Sequence, residues 1–204
     1  MKIAFLGDSI TEGYGASCYE KCFVKQIENK LHCEVLNYGI GGTQIARVKE
    51  PSIVPCCCDW AFQQRAQIMP NDADRVFVFG GTNDFGRFDT ELGDFQTNNP
   101  YTFRGGLRNL IEILLEKYDR GKICFILPLH RINEVQEKKC FVDYIDSMKK
   151  IIAEHKIEIL DLYQDGLPAP IDEQDNRYFI DGLHPNDLGY KLIADKICDY
   201  LSRV

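Results

Sequence analysis

Ile3-Ala4-Phe5-Leu6-Gly7-Asp8-Ser9-Ile10-Thr11-Glu12-Gly13 decides how the rest of the chain is read, because a short apolar run passes directly into a turn that carries a hydroxyl. An unbroken apolar run of this length suits a strand buried on both faces, the usual condition in a parallel sheet. In an open α/β sheet, ligands bind beyond the carboxyl ends of the strands, and Ser9 falls at such an end. A serine hydroxyl is a weak nucleophile on its own. It needs a base within hydrogen-bond reach, itself oriented by a third group.

Working outward, short apolar runs alternate with helical patterns. Phe23, Val24, Ile27 and Leu31 recur at helix spacing, and Glu34-Val35-Leu36-Asn37-Tyr38 reads as a second strand. Val76-Phe77-Val78-Phe79, ending in Gly80-Gly81, is a third. Phe103, Leu107, Leu110, Ile111, Leu114 and Tyr118 mark a helix that should stop near Gly121, and Ile123-Cys124-Phe125-Ile126-Leu127 is a fourth strand ended by Pro128. Phe141, Ile145, Met148 and Ile152 form another helical stripe, followed by a fifth strand at Ile157-Glu158-Ile159-Leu160. Leu188, Leu192, Ile197 and Leu201 predict a closing helix capped by Asn186 or Asp187. Such alternation predicts an α/β fold with a parallel sheet, right-handed crossovers and helices on both faces, a three-layer α/β/α arrangement. Residues 50–60, with two prolines and Cys56-Cys57-Cys58, and residues 85–100, rich in Asp, Gly and Asn, resist assignment. The second segment follows the third strand and is expected to overhang the active edge as a loop.

Composition narrows the function. The 204 residues fit one domain spanning 1–204, and a net charge of −7 from 24 basic and 31 acidic residues argues against nucleic acid or an anionic membrane surface as partner. Nine cysteines, an odd number with three in a row, point to a reducing compartment rather than a disulfide framework. Cys18, Cys22, Cys124 and Cys198 fall in helical or strand patterns and read as small core residues, and no C-x-x-C spacing suggests a metal site. The first strand begins at Lys2-Ile3, and no apolar run approaches the length of a membrane span. A cytoplasmic location is the expectation.

Four short motifs fall at strand ends or just before a helix. They are the Ser9 turn, Asn37-Tyr38-Gly39-Ile40-Gly41-Gly42-Thr43 after strand two, Gly80-Gly81-Thr82-Asn83-Asp84 after strand three, and Asp181-Gly182-Leu183-His184-Pro185-Asn186 before the last helix. Bare Cα atoms in the second let a backbone N–H approach a ligand closely. The third presents an amide side chain. In the fourth, a carboxylate three residues upstream of an imidazole can bend back to accept Nδ1–H and leave Nε2 as a base.

Together these motifs resemble those of the SGNH hydrolase superfamily, the GDSL-type esterases and lipases, over nearly the whole chain. That resemblance implies a flavodoxin-like, five-stranded parallel sheet of order 2-1-3-4-5. It also implies Ser9 as nucleophile, His184 as general base and later acid, and Asp181 as orienting carboxylate. The oxyanion donors would be the Ser9 and Gly42 backbone N–H groups and the Asn83 side-chain amide. No metal or organic cofactor is required by such a mechanism, and the expected partner is a small acyl ester, with the oligomeric state left open.

Other residues compete for roles at this edge. His32, His130 and His155 are the alternative imidazoles, and His130 follows strand four, where it could contact substrate or be a solvated loop residue. Arg47 and Arg131 could bind an acidic or sugar substrate, while Phe85, Phe88 and Phe95 could rim an acyl site or pack as core. Short acyl groups, including acetyl esters on carbohydrate, are the expected substrates. Lysophospholipid or thioester cleavage and O-acyl transfer would use the same residues. A non-catalytic binding domain would not need the full set, and a phosphate or nucleotide site is opposed by Asp8 and Glu12 at strand one.

Overall fold

The computed structural model describes residues 1–50, 57–86 and 90–203. Strand β1 (Lys2–Gly7) leads into a one-turn helix α1 (Ser9–Glu12), then α2 (Phe23–Leu31) and β2 (Glu34–Gly39). Helix α3 (Phe62–Ile68) precedes β3 (Arg75–Phe79), and α4 (Thr82–Gly86) follows it. Next come α5 (Phe103–Lys117), β4 (Ile123–Ile126), the short strands β5 (Val135–Gln136) and β6 (Lys139–Cys140), and α6 (Phe141–Glu154). The chain closes with β7 (Glu158–Leu160), α7 (Leu162–Asp165) and α8 (Asp187–Leu201).

The main sheet has five strands in the order β2-β1-β3-β4-β7, all parallel. This is the expected 2-1-3-4-5 order, the fifth sheet strand being β7 because β5 and β6 form a separate antiparallel pair. Side chains of a strand alternate between faces, so β1 feeds two cores. Ala4 and Leu6 pack with α3, α5 and α6, whereas Ile3 and Phe5 pack with α2 and α8. Phe5 stacks on Phe77 at 5.0 Å and meets the edge of Phe23 at 5.3 Å. Burial on both faces explains why β1, β3 and β4 read as continuous apolar runs.

Register positions the functional edge. Gly7 pairs with Gly39 on one side and Phe79 on the other, Phe79 pairs with Ile126, and Ile126 with Leu160. The carboxyl ends of the strands therefore lie on one row, and the loops that follow them emerge side by side.

Several expectations need correction. The helix α3 and the β5–β6 pair went unread because both are too short to establish a period, and α5 stops at Lys117 rather than near Gly121. Of residues 85–100, expected to overhang the edge, 87–89 lie outside the described residues and none of 90–100 lines the cavity at Ser9. Thr90 accepts from Gln44 at 2.6 Å, and Leu92 and Phe95 pack partly buried against the core. Phe85 is also core, 1% exposed and against Phe141 and Tyr144, while Phe88 lies outside the described residues. Cys22 and Cys124 are buried as expected, but Cys18 is exposed ahead of α2, and of the cysteine triplet Cys57 is exposed and Cys56 lies outside the described residues. Among the described residues, no helix is long and apolar enough to cross a membrane.

Candidate active site

Ser9 is the first residue of α1, and Asp8 caps that helix by accepting the Ile10 N–H at 3.0 Å. The turn is tight enough to need the glycine at the end of β2. A Cβ on Gly39 would lie 2.2 Å from the Glu12 nitrogen, so this glycine admits the helix rather than a ligand. Asp8 is enclosed, and burial pushes its carboxyl up to about 6 against the pull of the Ile10 amide, His184 and Arg65.

Ser9 Oγ lies 2.9 Å from His184 Nε2. His184 Nδ1 lies 2.7 Å from Asp181 Oδ2, and Asp181 Oδ1 accepts the His184 backbone N–H at 2.8 Å and that of Leu183 at 3.1 Å. A carboxylate at Nδ1 fixes the proton there and leaves Nε2 to accept from the serine hydroxyl. Burial would push the Asp181 carboxyl up, but the His184 amide, the His184 ring and the Leu183 amide together hold it below the usual carboxylate value. The edge of Tyr14 meets the His184 ring at 4.6 Å.

The other two loops converge on the same point. Gly42 sits at φ +74, a conformation suited to glycine, and its neighbour Gly41 donates to Glu12 Oε2 at 2.8 Å. Asn83 is 8% exposed, and its Nδ2 donates to the Thr43 carbonyl at 2.9 Å, which ties the β3 loop to the β2 loop, while the residue also lines the cavity at Ser9. A cavity of about 420 Å³ is lined by Ser9, Gly42, Asn83, Arg131, Leu183 and His184 among others. Residues from five separate loops thus surround one hydroxyl. Among the described residues, no group of three His, Cys, Asp or Glu side chains could hold a metal ion.

Residues 5–192 match the GDSL-like Lipase/Acylhydrolase family. The chain belongs to this family. It is accordingly a carboxylic ester hydrolase of the GDSL-like type. A solved structure from Lactobacillus plantarum is 29% identical, with a TM-score of 0.83 over 99% of this chain and 96% of that one. A carbohydrate acetylesterase from Sinorhizobium meliloti shares the fold at 15% identity, with a TM-score of 0.73 over 99% and 98% of the two chains. An acetyl xylan esterase shares it at 20% identity, with a TM-score of 0.69 over 98% and 99%. No curated protein matches the chain.

In this GDSL-like hydrolase, two buried residues brace the loops: Arg65, which carried no sequence signal, and Asp84, which ends the Gly80–Asp84 motif but carried no role there. Arg65 of α3 is 1% exposed and donates to the Gly7 carbonyl at 2.7 Å, the Thr43 hydroxyl at 2.7 Å, the Trp60 carbonyl at 3.2 Å and the Tyr38 carbonyl. It joins the carbonyl two residues ahead of Ser9 to the loop that carries Gly42. Burial lowers its pKa to about 10, opposed by Asp8 and Glu12. Asp84, fully enclosed, accepts from Ile45 at 3.0 Å and Ala46 at 2.8 Å, and burial pushes its carboxyl up to about 7 against those two amides. An arginine in an amphipathic turn of helix reads as a surface residue. Only the packed fold shows it inside.

The competing residues separate cleanly. His130 binds Glu134 at 2.8 Å, stacks on Tyr163 at 3.9 Å and faces a second cavity. His155 caps α6 and bonds the Ile151 carbonyl, and His32 caps α2. Arg47 lines a different cavity, and Phe95 lies under Arg104 and Lys150. Arg131 alone of these reaches the Ser9 cleft.

Proposed function

We propose that the chain, acting as one domain, hydrolyses short-chain acyl esters, acetyl esters of carbohydrates among them, with Ser9 as nucleophile, His184 as general base and Asp181 as its orienting carboxylate. The observation that carries this reading is the unbroken chain from Ser9 Oγ to His184 Nε2 at 2.9 Å and from His184 Nδ1 to Asp181 at 2.7 Å. His184 takes the hydroxyl proton as Oγ bonds to the acyl carbon, and the imidazolium that forms faces a carboxylate already in place. The negative charge developing on the carbonyl oxygen is met by the Ser9 and Gly42 N–H groups and the Asn83 amide. His184 then gives its proton to the departing alcohol. The acyl-enzyme is cleared when His184 takes a proton from water as the water oxygen bonds to the same carbon; the C–Oγ bond then breaks, the acid leaves, and His184 returns the proton to Ser9 Oγ.

A short acyl group is supported by the cavity itself. Apolar atoms make up most of its exposed lining, but Leu183 and Tyr14 are its only large apolar side chains, set among Glu12, Asn83, Arg131 and His184, so it offers no extended row of apolar side chains to a long hydrocarbon. Two proteins of the same fold carry the names carbohydrate acetylesterase and acetyl xylan esterase.

The test is a chain-length series of p-nitrophenyl esters run beside acetylated sugars, with Ser9→Ala as control. Activity concentrated at acetate and absent in Ser9→Ala is expected. Rates that climb with chain length would favour a lysophospholipase or thioesterase role, and wild-type turnover in Ser9→Ala would remove the serine mechanism.

A further inference from the structure

Arg131 is the one Arg or Lys side chain among the described residues lining the Ser9 cavity. Its Nε donates to the Ile132 carbonyl at 3.3 Å, and Nη1 to the Thr82 carbonyl at 3.2 Å and the Thr82 hydroxyl at 3.4 Å. These bonds hold the guanidinium against the loop that bears Asn83, over the Phe85 ring at 5.4 Å and so close to Gly86 that a Cβ there would lie 2.1 Å from Nη1. Among the described residues, Nη2, with two further N–H donors, has no protein acceptor, and no carboxylate lies within ion-pair distance of the group.

The other charges of the cleft are already engaged. Glu12 accepts the Gly41 N–H, and Asp181 accepts from His184. Burial pulls the Arg131 pKa down, against the opposing pull of Glu134 and Asp181. Arg131 is thus a partly desolvated cation with a free pair of donors, a condition that costs free energy. An anion that completes its hydrogen bonds would offset that desolvation.

We propose that Arg131 makes this cleft select esters that carry an anionic group, a carboxylate or a phosphate, and holds that group beside Ser9. The proposal rests on the reading of Ser9 as the reacting residue. The far side of Arg131 opens on the second cavity, where three carboxylates, Glu134, Asp172 and Glu173, oppose an anion, whereas the Ser9 cavity holds one, Glu12, which accepts the Gly41 N–H. The charge is therefore recognised on the Ser9 side. Arg131 is a specificity residue in this scheme and takes no proton.

Two substrate pairs locate the anion. On the acyl side, p-nitrophenyl hemisuccinate is compared with p-nitrophenyl pentanoate, and on the alcohol side 4-acetoxybenzoate with its methyl ester. For each pair the ratio of kcat/KM, anionic over neutral, is measured in wild type, Arg131→Gln and Arg131→Lys. Taking the ratio between enzymes cancels the intrinsic reactivity of each ester. In Arg131→Gln the ratio should fall about tenfold or more in at least one pair, the loss of a charge-assisted hydrogen bond, and Arg131→Lys should recover part of it. The pair that responds states which side of the ester carries the charge. An unchanged ratio in both pairs overturns the proposal.

A measurement on the wild-type protein stands apart from the fold of the variants. The product 4-hydroxybenzoate should inhibit p-nitrophenyl acetate hydrolysis more strongly than methyl 4-hydroxybenzoate or succinate more strongly than its dimethyl ester, and weaker or equal inhibition by both anions overturns the proposal as well. Ser9→Ala keeps the two readings distinct. If it still turns over neutral esters, the serine reading fails and the selectivity at Ser9 falls with it, whereas a dead Ser9→Ala with an unmoved ratio condemns Arg131 alone.

Discussion

Asp181 grips both ends of His184, its Oδ2 lying 2.7 Å from the ring Nδ1 while Oδ1 accepts the backbone N–H of the same residue at 2.8 Å. The local bend that makes this possible is a three-residue loop ahead of α8, whose own cap is Asn186, accepting from Leu188 and Gly189 at 3.0 Å each. Ring orientation and backbone path are thereby set together.

Asp181→Asn should keep the backbone bonds, because an amide oxygen can still accept them, but its NH₂ group cannot accept from Nδ1–H and favours the wrong tautomer. Turnover should fall by about 10²-fold or more, less than in His184→Ala, with the melting temperature close to wild type. Steady-state kinetics with p-nitrophenyl acetate checks it. Because the folded carboxyl is held below its usual value, its stabilising contribution is present above the unfolded carboxylate pKa and is lost only as pH falls through the lower folded value.

Asn83→Ala removes one amide donor from the cleft and also releases the Thr43 carbonyl that Asn83 Nδ2 holds at 2.9 Å. A loss of about 10²–10³ in kcat, or roughly 3–4 kcal/mol, is expected with little change in KM. An effect confined to KM would argue that Asn83 contacts the ground-state substrate instead.

Arg65 supports a prediction of a different kind, since it touches no atom of the proposed reaction. Arg65→Met strips several buried oxygens of their donor and should destabilise the fold by on the order of 2–4 kcal/mol in urea unfolding. Arg65→Lys keeps the charge but cannot reach the Gly7 carbonyl and the Thr43 hydroxyl with one planar fork. Its kcat should fall about tenfold at near-constant KM, as the Gly42 loop drifts from Ser9. Unchanged kcat in a folded Arg65→Lys would limit the residue to stability.

Asp84 links stability to pH. Its carboxyl is pushed up to about 7 in the fold, by burial first, so the native state binds the proton more tightly than the unfolded chain. Such a group stabilises fully below the unfolded carboxylate pKa, and the contribution declines as pH rises through the folded value, by no more than about 4 kcal/mol. Asp8, raised to about 6, acts in the same direction. Urea midpoints should therefore be higher at pH 5 than at pH 8, and Asp84→Asn should flatten the difference while costing about 1–3 kcal/mol for the amide it leaves unpaired.

How much of this was legible in the chain depends on the range of the interaction concerned. Local period exposed the sheet strands and the longer helices, because burial on both faces writes continuous apolar runs and one-sided burial writes a helical stripe. The candidate residues Ser9, Gly42, Asn83, Asp181 and His184 stood out because each sits in a turn beside a strand or helix end, where composition departs from the repeat. The short helix α3 and the β5–β6 pair were not legible, since seven residues span under two helical turns and two residues a single strand period, too few for a pattern to recur, and the inward packing of residues 90–100 has no period at all.

The amino-acid sequence by itself determined the α/β class, the strand order through the family resemblance, and the residue types gathered at the sheet edge. Only the tertiary structure decided that the ends of β1, β2 and β3 share one register row, at Gly7, Gly39 and Phe79, so that loops distant in the chain meet within hydrogen-bond reach. It also sorted the basic residues, burying Arg65 as a brace, turning Arg47 to another cavity and leaving Arg131 in the cleft with donors unused. The physical reason is that a charged side chain has no periodic signature. Its role is set by which oxygens the fold brings to its nitrogens.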